Sequence, residues 1–189
     1  ITPKTKVMLI NFPSNPTGGA MTREDYEKLV PIIKESGIIV ISDEIYAELS
    51  YEEPFCTLAS FPEIRDQIVV INGFSKAYAM TGWRLGYVLA NPVLSKAMCK
   101  IHQYIIMSAP TGAQYGAIDG LRHCDKDVEE MRASYLSRRN FLVKTFNDMG
   151  LHTFNPMGAF YVFPCIRSTG LTSEEFCEEL FNDQKVACV

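Results

Sequence analysis

Three short, uninterrupted apolar runs constrain the fold of this chain more than any other feature. They occupy residues 7–10, 38–41 and 68–71, and turn or polar residues follow each of them. Continuous apolar runs of this length are typical of strands that are buried on both faces of a parallel sheet. Because helical patterns separate the runs, the sequence predicts an α/β fold of three layers. A mainly parallel sheet would carry helices on both of its faces.

The helical patterns have recognisable ends. Thr22, with Asp25 three residues later, predicts a helix start that resembles a capping box, and Gly37 predicts the end of the same helix. Thr172 or Ser173 predicts the start of a last helix. Other apolar patterns predict strands over 85–90, 159–163 and 185–189 and helices over 93–107, 111–121 and 127–149. The return from long helices to strand and helix near residue 151 predicts that a second, small α+β domain begins there.

Composition excludes several classes of function. A net charge of −4 argues against a surface that binds nucleic acid, and no apolar run approaches the length that spans a bilayer. The six cysteines form no C-x-x-C pair, and the three histidines show no metal-ligand spacing. We therefore expect a cytoplasmic protein with reduced thiols and no metal site. The chain begins without a methionine and stops in an apolar run, so we expect a piece of a longer protein.

Unusual polar residues follow the three predicted strands. Asn15 lies on the loop after the first strand, Asp43 and Tyr46 follow the second, and Ser75 and Lys76 follow the third. Ligands of open parallel sheets bind beyond the carboxyl ends of the strands, and neighbouring strands are about 4.8 Å apart. The sequence therefore predicts one site at this edge. Taken singly, the Asn15 segment is also typical of a turn, and Asp43 could equally cap the next helix.

Lys76 and Arg84 indicate the chemistry of this site. A lysine at a strand end can lose hydration, which favours its neutral amine and the formation of a Schiff base. The planar guanidinium group of Arg84 suits a phosphate. A lysine beside a phosphate clamp points to pyridoxal 5'-phosphate, which is both an aldehyde and a phosphate ester. In such a site Asp43 would pair with the pyridinium nitrogen, and Asn15 and Tyr46 would donate to the ring oxygen.

Four segments in order resemble the fold-type I, class I/II aminotransferases, which use pyridoxal phosphate. The segments are NPTG at 15–18, SDEIY at 42–46, SK at 75–76 continuing to TGWRLGY at 81–87, and PMGAFY at 156–161. The resemblance covers the whole chain. It implies that residues 1–150 are the later half of the large, cofactor-binding domain, and that 151–189 are the truncated start of the C-terminal small domain.

The resemblance also implies roles for individual residues. Lys76 would be the Schiff-base lysine and the group that moves the substrate α-proton, and Arg84 and Ser75 would bind the phosphate. Asp43 would hold the ring nitrogen. Asn15 and Tyr46 would hold the ring oxygen. Many relatives carry a serine three residues before the lysine; Gly73 stands there in this chain, which removes one phosphate contact.

The resemblance implies an aminotransferase that moves an α-amino group between an amino acid and a 2-oxo acid, of the aspartate type, and a homodimer when the protein is intact. Segments of the family outside this chain supply further cofactor contacts and the arginine that binds the substrate carboxylate, so the piece is expected to be inactive alone. Two alternatives stay open. One is a β-lyase of the same fold, and the other is the sensor domain of a transcription regulator.

Overall fold

A computed structural model describes residues 1–188 and contains one four-stranded sheet. Its strands are β1 (Val7–Asn11), β2 (Ile39–Asp43), β3 (Ile68–Gly73) and β4 (Gly86–Leu89), and they lie side by side in that order. The first three strands are parallel. The three apolar runs therefore form the parallel strands that the sequence predicts, and their carboxyl ends share one edge of the sheet.

The fourth strand runs antiparallel to β3 and brings two glycines face to face. Gly73 at the end of β3 is the register partner of Gly86 at the start of β4. A Cβ atom on Gly73 would lie only 2.9 Å from the Cα atom of Gly86. The close approach explains why a glycine, and not a serine, suits position 73 in this chain. The pairing of Gly73 with Gly86 is the last of this strand pair, and the loop that contains Ser75 and Lys76 begins directly after it.

One face of the sheet is covered by helix α1 (Arg23–Ser36), whose ends form as predicted. Thr22 and Asp25 make a reciprocal capping box, and Gly37 ends the helix in the left-handed conformation at φ 65°. Tyr26 and Ile33 of α1 are buried against Val40 and other strand residues. The same core includes Leu58, Phe61 and Ile64 from the connection between β2 and β3. This apolar layer fixes the parallel strands and so the edge that carries the polar residues.

Helices also lie on the other side of the sheet. Ile71 and Val88 are cross-strand partners on the second face, and they share a cleft with α2 (Pro92–Ile105). Helix α3 (Thr111–His123) packs Ala117 against Phe74 and Met80 of the loop that carries Lys76. Layers on both faces agree with the predicted α/β class. Val7 and Leu9 of the edge strand β1 remain largely exposed.

The chain after the sheet is mostly helical, with two departures from the predicted pattern. Helix α4 (Asp125–Asp148) is followed by irregular chain and then by α5 (Ser173–Gln184), which the Thr172 capping box begins. The strand predicted over 159–163 does not form; only Gly158 makes an isolated bridge, to Ser50. Residues 185–188 form no strand either, and the remaining residue of that predicted strand, 189, lies outside the described range.

Neither a membrane span nor a metal cluster is found where the structure describes the chain. Across residues 1–188, no helix combines the length and the apolar character that crossing a bilayer requires. Over the same residues, no three His, Cys, Asp or Glu side chains are placed to hold a metal ion.

Candidate active site

The carboxyl ends of the parallel strands lie in register. Asn11 at the end of β1 is the register partner of Asp43 at the end of β2, and Asp43 is the partner of Ile71 in β3. The Asn11 side chain adds a second link, because its Nδ2 donates to the Asp43 carbonyl at 3.5 Å and its Oδ1 accepts from the Asn15 backbone at 3.2 Å. Asn11 therefore joins the Asn15 loop to the strand that carries Asp43.

Asp43 is half-buried and does not cap a helix. Its Oδ1 accepts a hydrogen bond at 3.2 Å from the backbone N–H of Ile45, which stabilises the tight turn after β2. That turn leads directly into the short 3₁₀ segment Ala47–Leu49. The helix-capping alternative for Asp43 is therefore wrong, and the carboxylate stands at the strand end where the sequence places it.

Lys76 lies against two aromatic rings. Its Nζ atom is 5.7 Å from the centroid of the Tyr46 ring and 5.6 Å from that of Phe160. Both distances suit the attraction between an ammonium group and a ring face. The structure therefore brings together Lys76, from the loop after β3, and Tyr46, from the loop after β2, as the sequence predicts. Phe160 supplies a further wall that the sequence does not predict.

Tyr46 is buried and pairs with a second tyrosine. Its hydroxyl oxygen lies 2.6 Å from that of Tyr161, and the two rings meet edge to face at 5.7 Å between centroids. Burial raises the pKa of the Tyr46 hydroxyl above its ordinary value, and the nearby charge of Asp43 raises it further. Tyr46 is therefore held as a neutral phenol, which can donate a hydrogen bond.

The segment 156–161 connects three parts of the site. The backbone N–H groups of Met157 and Gly158 both donate to the carbonyl of Gly18, on the loop that carries Asn15. Ala159 donates to Leu49, on the loop that follows Tyr46. Phe160 then packs edge to face on the Tyr46 ring at 5.3 Å. These contacts set the wall against which Lys76 lies.

Two residues of this region show why the segment cannot be a strand. Ala159 adopts a left-handed backbone with φ 59°, which interrupts extended geometry. Its carbonyl accepts a hydrogen bond from the hydroxyl of buried Tyr51, whose pKa burial raises to about 12. The backbone groups of the segment therefore bind to surrounding loops instead of to a neighbouring strand.

Ser75 and Arg84 belong to one compact loop between β3 and β4. The Thr81 hydroxyl donates to the Ser75 carbonyl at 2.9 Å, and Arg84 Nη1 donates to the Thr81 carbonyl at 2.8 Å. Arg84 is exposed and has a left-handed backbone at φ 54°. Thr81 thus links the two predicted phosphate residues, which form no hydrogen bond with each other.

Asn15 is the predicted residue that contacts the others least directly. Its side chain is exposed, and its connection to the site runs through its backbone N–H and Asn11. The turn interpretation is correct for its backbone, because Gly18 N–H donates to the Ser14 carbonyl at 2.7 Å. The side chain of Asn15 remains free to reach a group bound at the strand ends.

Glu44 lies on the opposite side of the Asp43 strand end. It is buried, and its Oε1 accepts from Ser42 Oγ at 2.9 Å and from Thr57 Oγ1 at 2.8 Å. Burial raises the pKa of its carboxyl, although these hydrogen bonds oppose the increase. Glu44 therefore anchors the β2 end to the core on one side while Asp43 is presented on the other.

Sequence reasoning misses Asn11, Thr81, Phe160 and Tyr161 as parts of the site. Phe160 and Tyr161 lie in the PMGAFY motif and also in the stretch 159–163 that the sequence predicts to be a strand. The glycine inside this apolar segment is the available signal, because such a glycine marks a close backbone approach. A Cβ atom on Gly158 would lie 2.6 Å from the Pro13 side chain.

The donor set of this edge suits pyridoxal phosphate. Lys76 offers an amine to an aldehyde, Asp43 a carboxylate to a ring nitrogen, and Tyr46 a neutral phenol to a ring oxygen. Arg84 and Ser75 offer a guanidinium group and a hydroxyl to a phosphate. An α/β sheet with these side chains at its carboxyl edge offers the groups that binding of pyridoxal phosphate requires.

Comparison with known proteins identifies the family. The model of the family "Aminotransferase class I and II" matches residues 1–189, so the chain belongs to that family. The chain is 50% identical to YugH of Bacillus subtilis (strain 168), whose own assignment as an aminotransferase is provisional, over all of this chain and 49% of YugH. It is 43% identical to an aspartate aminotransferase of Pyrococcus abyssi, over all of this chain and 49% of that protein.

A solved structure agrees with this assignment. The aromatic aminotransferase of Pyrococcus horikoshii OT3 superposes with a TM-score of 0.95 at 42% identity, over all of this chain and 52% of that one. The chain spans about half the length of the curated relatives that it matches.

Proposed function

We propose that the intact protein is a pyridoxal-phosphate-dependent aminotransferase that transfers an α-amino group between an amino acid and a 2-oxo acid. The observation that carries this proposal is the position of Lys76 Nζ, against the Tyr46 ring at the carboxyl ends of the strands. Half-buried Asp43 is the last residue of the neighbouring strand, β2. An amine, a carboxylate and a neutral phenol on adjacent strand ends are the groups that this reaction requires.

Lys76 and Asp43 have complementary tasks in the proposed reaction. Bound pyridoxal phosphate supplies an electron-withdrawing ring that stabilises negative charge on the substrate α-carbon. Asp43 keeps a proton on the ring nitrogen through charge attraction, which maintains that electron demand. Lys76 Nζ would hold the cofactor at its aldehyde carbon, and the same amine would be the group that carries the substrate α-proton.

The remaining predicted residues orient the cofactor. Tyr46 and Asn15 donate to the ring oxygen, and Arg84 and Ser75 bind the phosphate. The exposed guanidinium group of Arg84 retains donors beyond the one that Thr81 uses, so it can bind a phosphate as well. Gly73 cannot contribute a hydroxyl, and its contact with Gly86 leaves no room for one without displacement of β4.

The substrate type and the assembly are further parts of the proposal. An aspartate-type amino donor is supported by relatives that carry that name at 43% and 40% identity. We place the intact protein in the cytoplasm as a homodimer, on the family resemblance and on its cysteines, which form no disulfide framework in sequence. We also keep the boundary between the large domain (1–150) and the small domain (151–189).

The decisive experiment compares Lys76→Ala with Lys96→Ala in the intact protein. Lys96 is an exposed lysine of α2, so its removal is a matched control. After incubation with pyridoxal phosphate, borohydride reduction and peptide mapping should find the pyridoxyl group on Lys76. Lys76→Ala should lose this label and all transamination, and Lys96→Ala should keep both. Labelling at another lysine in the unsubstituted protein would overturn the proposal.

A substrate panel tests the reaction type. The intact protein is mixed with individual amino acids and 2-oxoglutarate, and the products are separated. Formation of glutamate and a new 2-oxo acid, fastest with aspartate, is expected. Release of ammonia and pyruvate without glutamate would indicate the β-lyase alternative. Cofactor binding without turnover of any amino acid would favour the sensor alternative.

A further inference from the structure

Tyr161 is a half-buried hydroxyl partner of Tyr46 that none of the proposed roles uses. Its oxygen is 2.6 Å from the hydroxyl oxygen of Tyr46, although the two residues are 115 positions apart in the chain. We propose that Tyr161 is a positioning residue: it donates its proton to the Tyr46 oxygen, so that the Tyr46 proton points to the ring oxygen of the cofactor. This inference rests on the proposed function.

Proton counting gives the direction of the bond. Each tyrosine hydroxyl has one proton to donate and can also accept. In the hydrogen bond between them, one of the two protons is used, and either oxygen can be the donor. When Tyr46 gives its proton to the cofactor, the short contact survives only if Tyr161 is the donor. The pair then forms a chain of two hydrogen bonds that runs from Tyr161 through Tyr46 to the bound ring.

The surroundings fix this geometry. Tyr46 is only 3% exposed, so water cannot readily replace Tyr161 as its partner. The Phe160 ring lies 4.9 Å from the Tyr161 ring and 5.3 Å from the Tyr46 ring, and it packs on both. Rotation of either phenol away from the other is therefore opposed by ring packing as well as by the loss of a partly buried hydrogen bond.

The proposed chain of donors has an electrostatic consequence. Successive hydrogen bonds polarise one another, so donation from Tyr161 makes Tyr46 a stronger donor. A stronger bond to the ring oxygen stabilises its anionic form, and the proton on Lys76 Nζ is then lost at lower pH. Removal of the Tyr161 hydroxyl should move that proton loss to higher pH, in the same direction as removal of the Tyr46 hydroxyl.

The test uses Tyr161→Phe, Tyr46→Phe and the double variant of the intact protein, loaded with pyridoxal phosphate. The pH midpoint of the visible absorption change of the bound cofactor is measured. Tyr161→Phe should raise this midpoint by roughly half a pH unit, as the weakening of one hydrogen bond predicts. Tyr46→Phe should raise it more, and the double variant should equal Tyr46→Phe. The control is Tyr135→Phe, since the Tyr135 ring also packs on Phe160, at 5.3 Å.

Two outcomes would overturn the inference. One is an unchanged midpoint in Tyr161→Phe, and the other is a shift of the same size in the Tyr46→Phe background, because Tyr161 would then act through another group. A second readout needs no cofactor. In protein with ¹³C-labelled tyrosine rings, Tyr161→Phe should move the Tyr46 Cζ resonance and Tyr135→Phe should not. Failure of pyridoxal phosphate to bind would refute the proposed function, whereas an unmoved Tyr46 resonance would refute this inference alone.

Discussion

Arg139 Nη2 donates to Glu52 Oε1 at 2.7 Å, and this pair fastens α4 to the wall of the site. The Arg139 side chain is only 6% exposed, whereas that of Glu52 is 47% exposed. Arg139 Nη1 also donates to the Pro156 carbonyl at 2.8 Å, at the start of the segment that carries Phe160 and Tyr161. The arginine therefore supports the aromatic wall from behind.

Arg139→Ala should destabilise the intact protein by about 2–4 kcal/mol, because it removes a buried hydrogen bond to Pro156 and a partly buried one to Glu52, and leaves the Pro156 carbonyl unpaired. The matched control is Arg138→Ala, since Arg138 is the exposed neighbour on α4. The free energy of unfolding, measured with urea, should change by less than about 0.5 kcal/mol in the control. Similar losses in both variants would contradict the supporting role of Arg139.

Glu44 should make stability depend on pH. Burial raises the pKa of its carboxyl above the ordinary 4.5, so the folded protein retains a proton that the unfolded chain releases. Stability from this group is therefore present below pH 4.5 and falls as pH rises through the raised pKa. The urea midpoint, measured from pH 4 to 8, should show this decline. It should be absent in Glu44→Gln and unchanged in Glu48→Gln, which removes an exposed carboxylate from the 3₁₀ segment that follows. A decline that persists in Glu44→Gln would assign the effect to another group.

Asp43→Ala should separate cofactor binding from chemistry. The other proposed contacts remain, so the variant should still bind pyridoxal phosphate. Loss of the charge that holds the proton on the ring nitrogen should slow exchange of the substrate α-proton by about 10²-fold or more. Proton NMR of an amino acid in D₂O follows the exchange, and Asp119→Ala, on the exposed surface of α3, is the control. Exchange at the normal rate in Asp43→Ala would refute the assigned role.

The three parallel strands and the ends of α1 follow from local sequence, and for that reason they can be predicted. The apolar runs at 68–71 and 38–41 become β3 and β2, and Thr22 and Gly37 bound α1 through contacts within one turn. The direction of β4 is not local. It depends on the pairing of Gly73 with Gly86, which a single sequence shows only as two glycines.

The contacts of the site also include some that the sequence predicts and some that depend on the tertiary fold. Lys76 and Tyr46 meet because parallel strands bring their carboxyl ends to one edge, which a sequence argument can anticipate. Tyr161 comes from a segment beyond α4, and its contact with Tyr46 depends on how that segment folds back. The apolar pattern of the stretch that contains Tyr161 is typical of a strand. The left-handed backbone of Ala159 accompanies its hydrogen bonds with Leu49 and Tyr51, which local sequence does not reveal.

The Gly18 carbonyl accepts hydrogen bonds from Met157 and Gly158, which follow it by about 140 residues. Contacts between such distant positions require a large loop to close, and their formation is correspondingly slow. During synthesis, the Asn15 loop and the Lys76 loop emerge from the ribosome well before the stretch that joins them. A nascent chain that has not yet reached residue 160 thus carries Lys76 and Tyr46 but lacks the rings of Phe160 and Tyr161 that complete the aromatic wall.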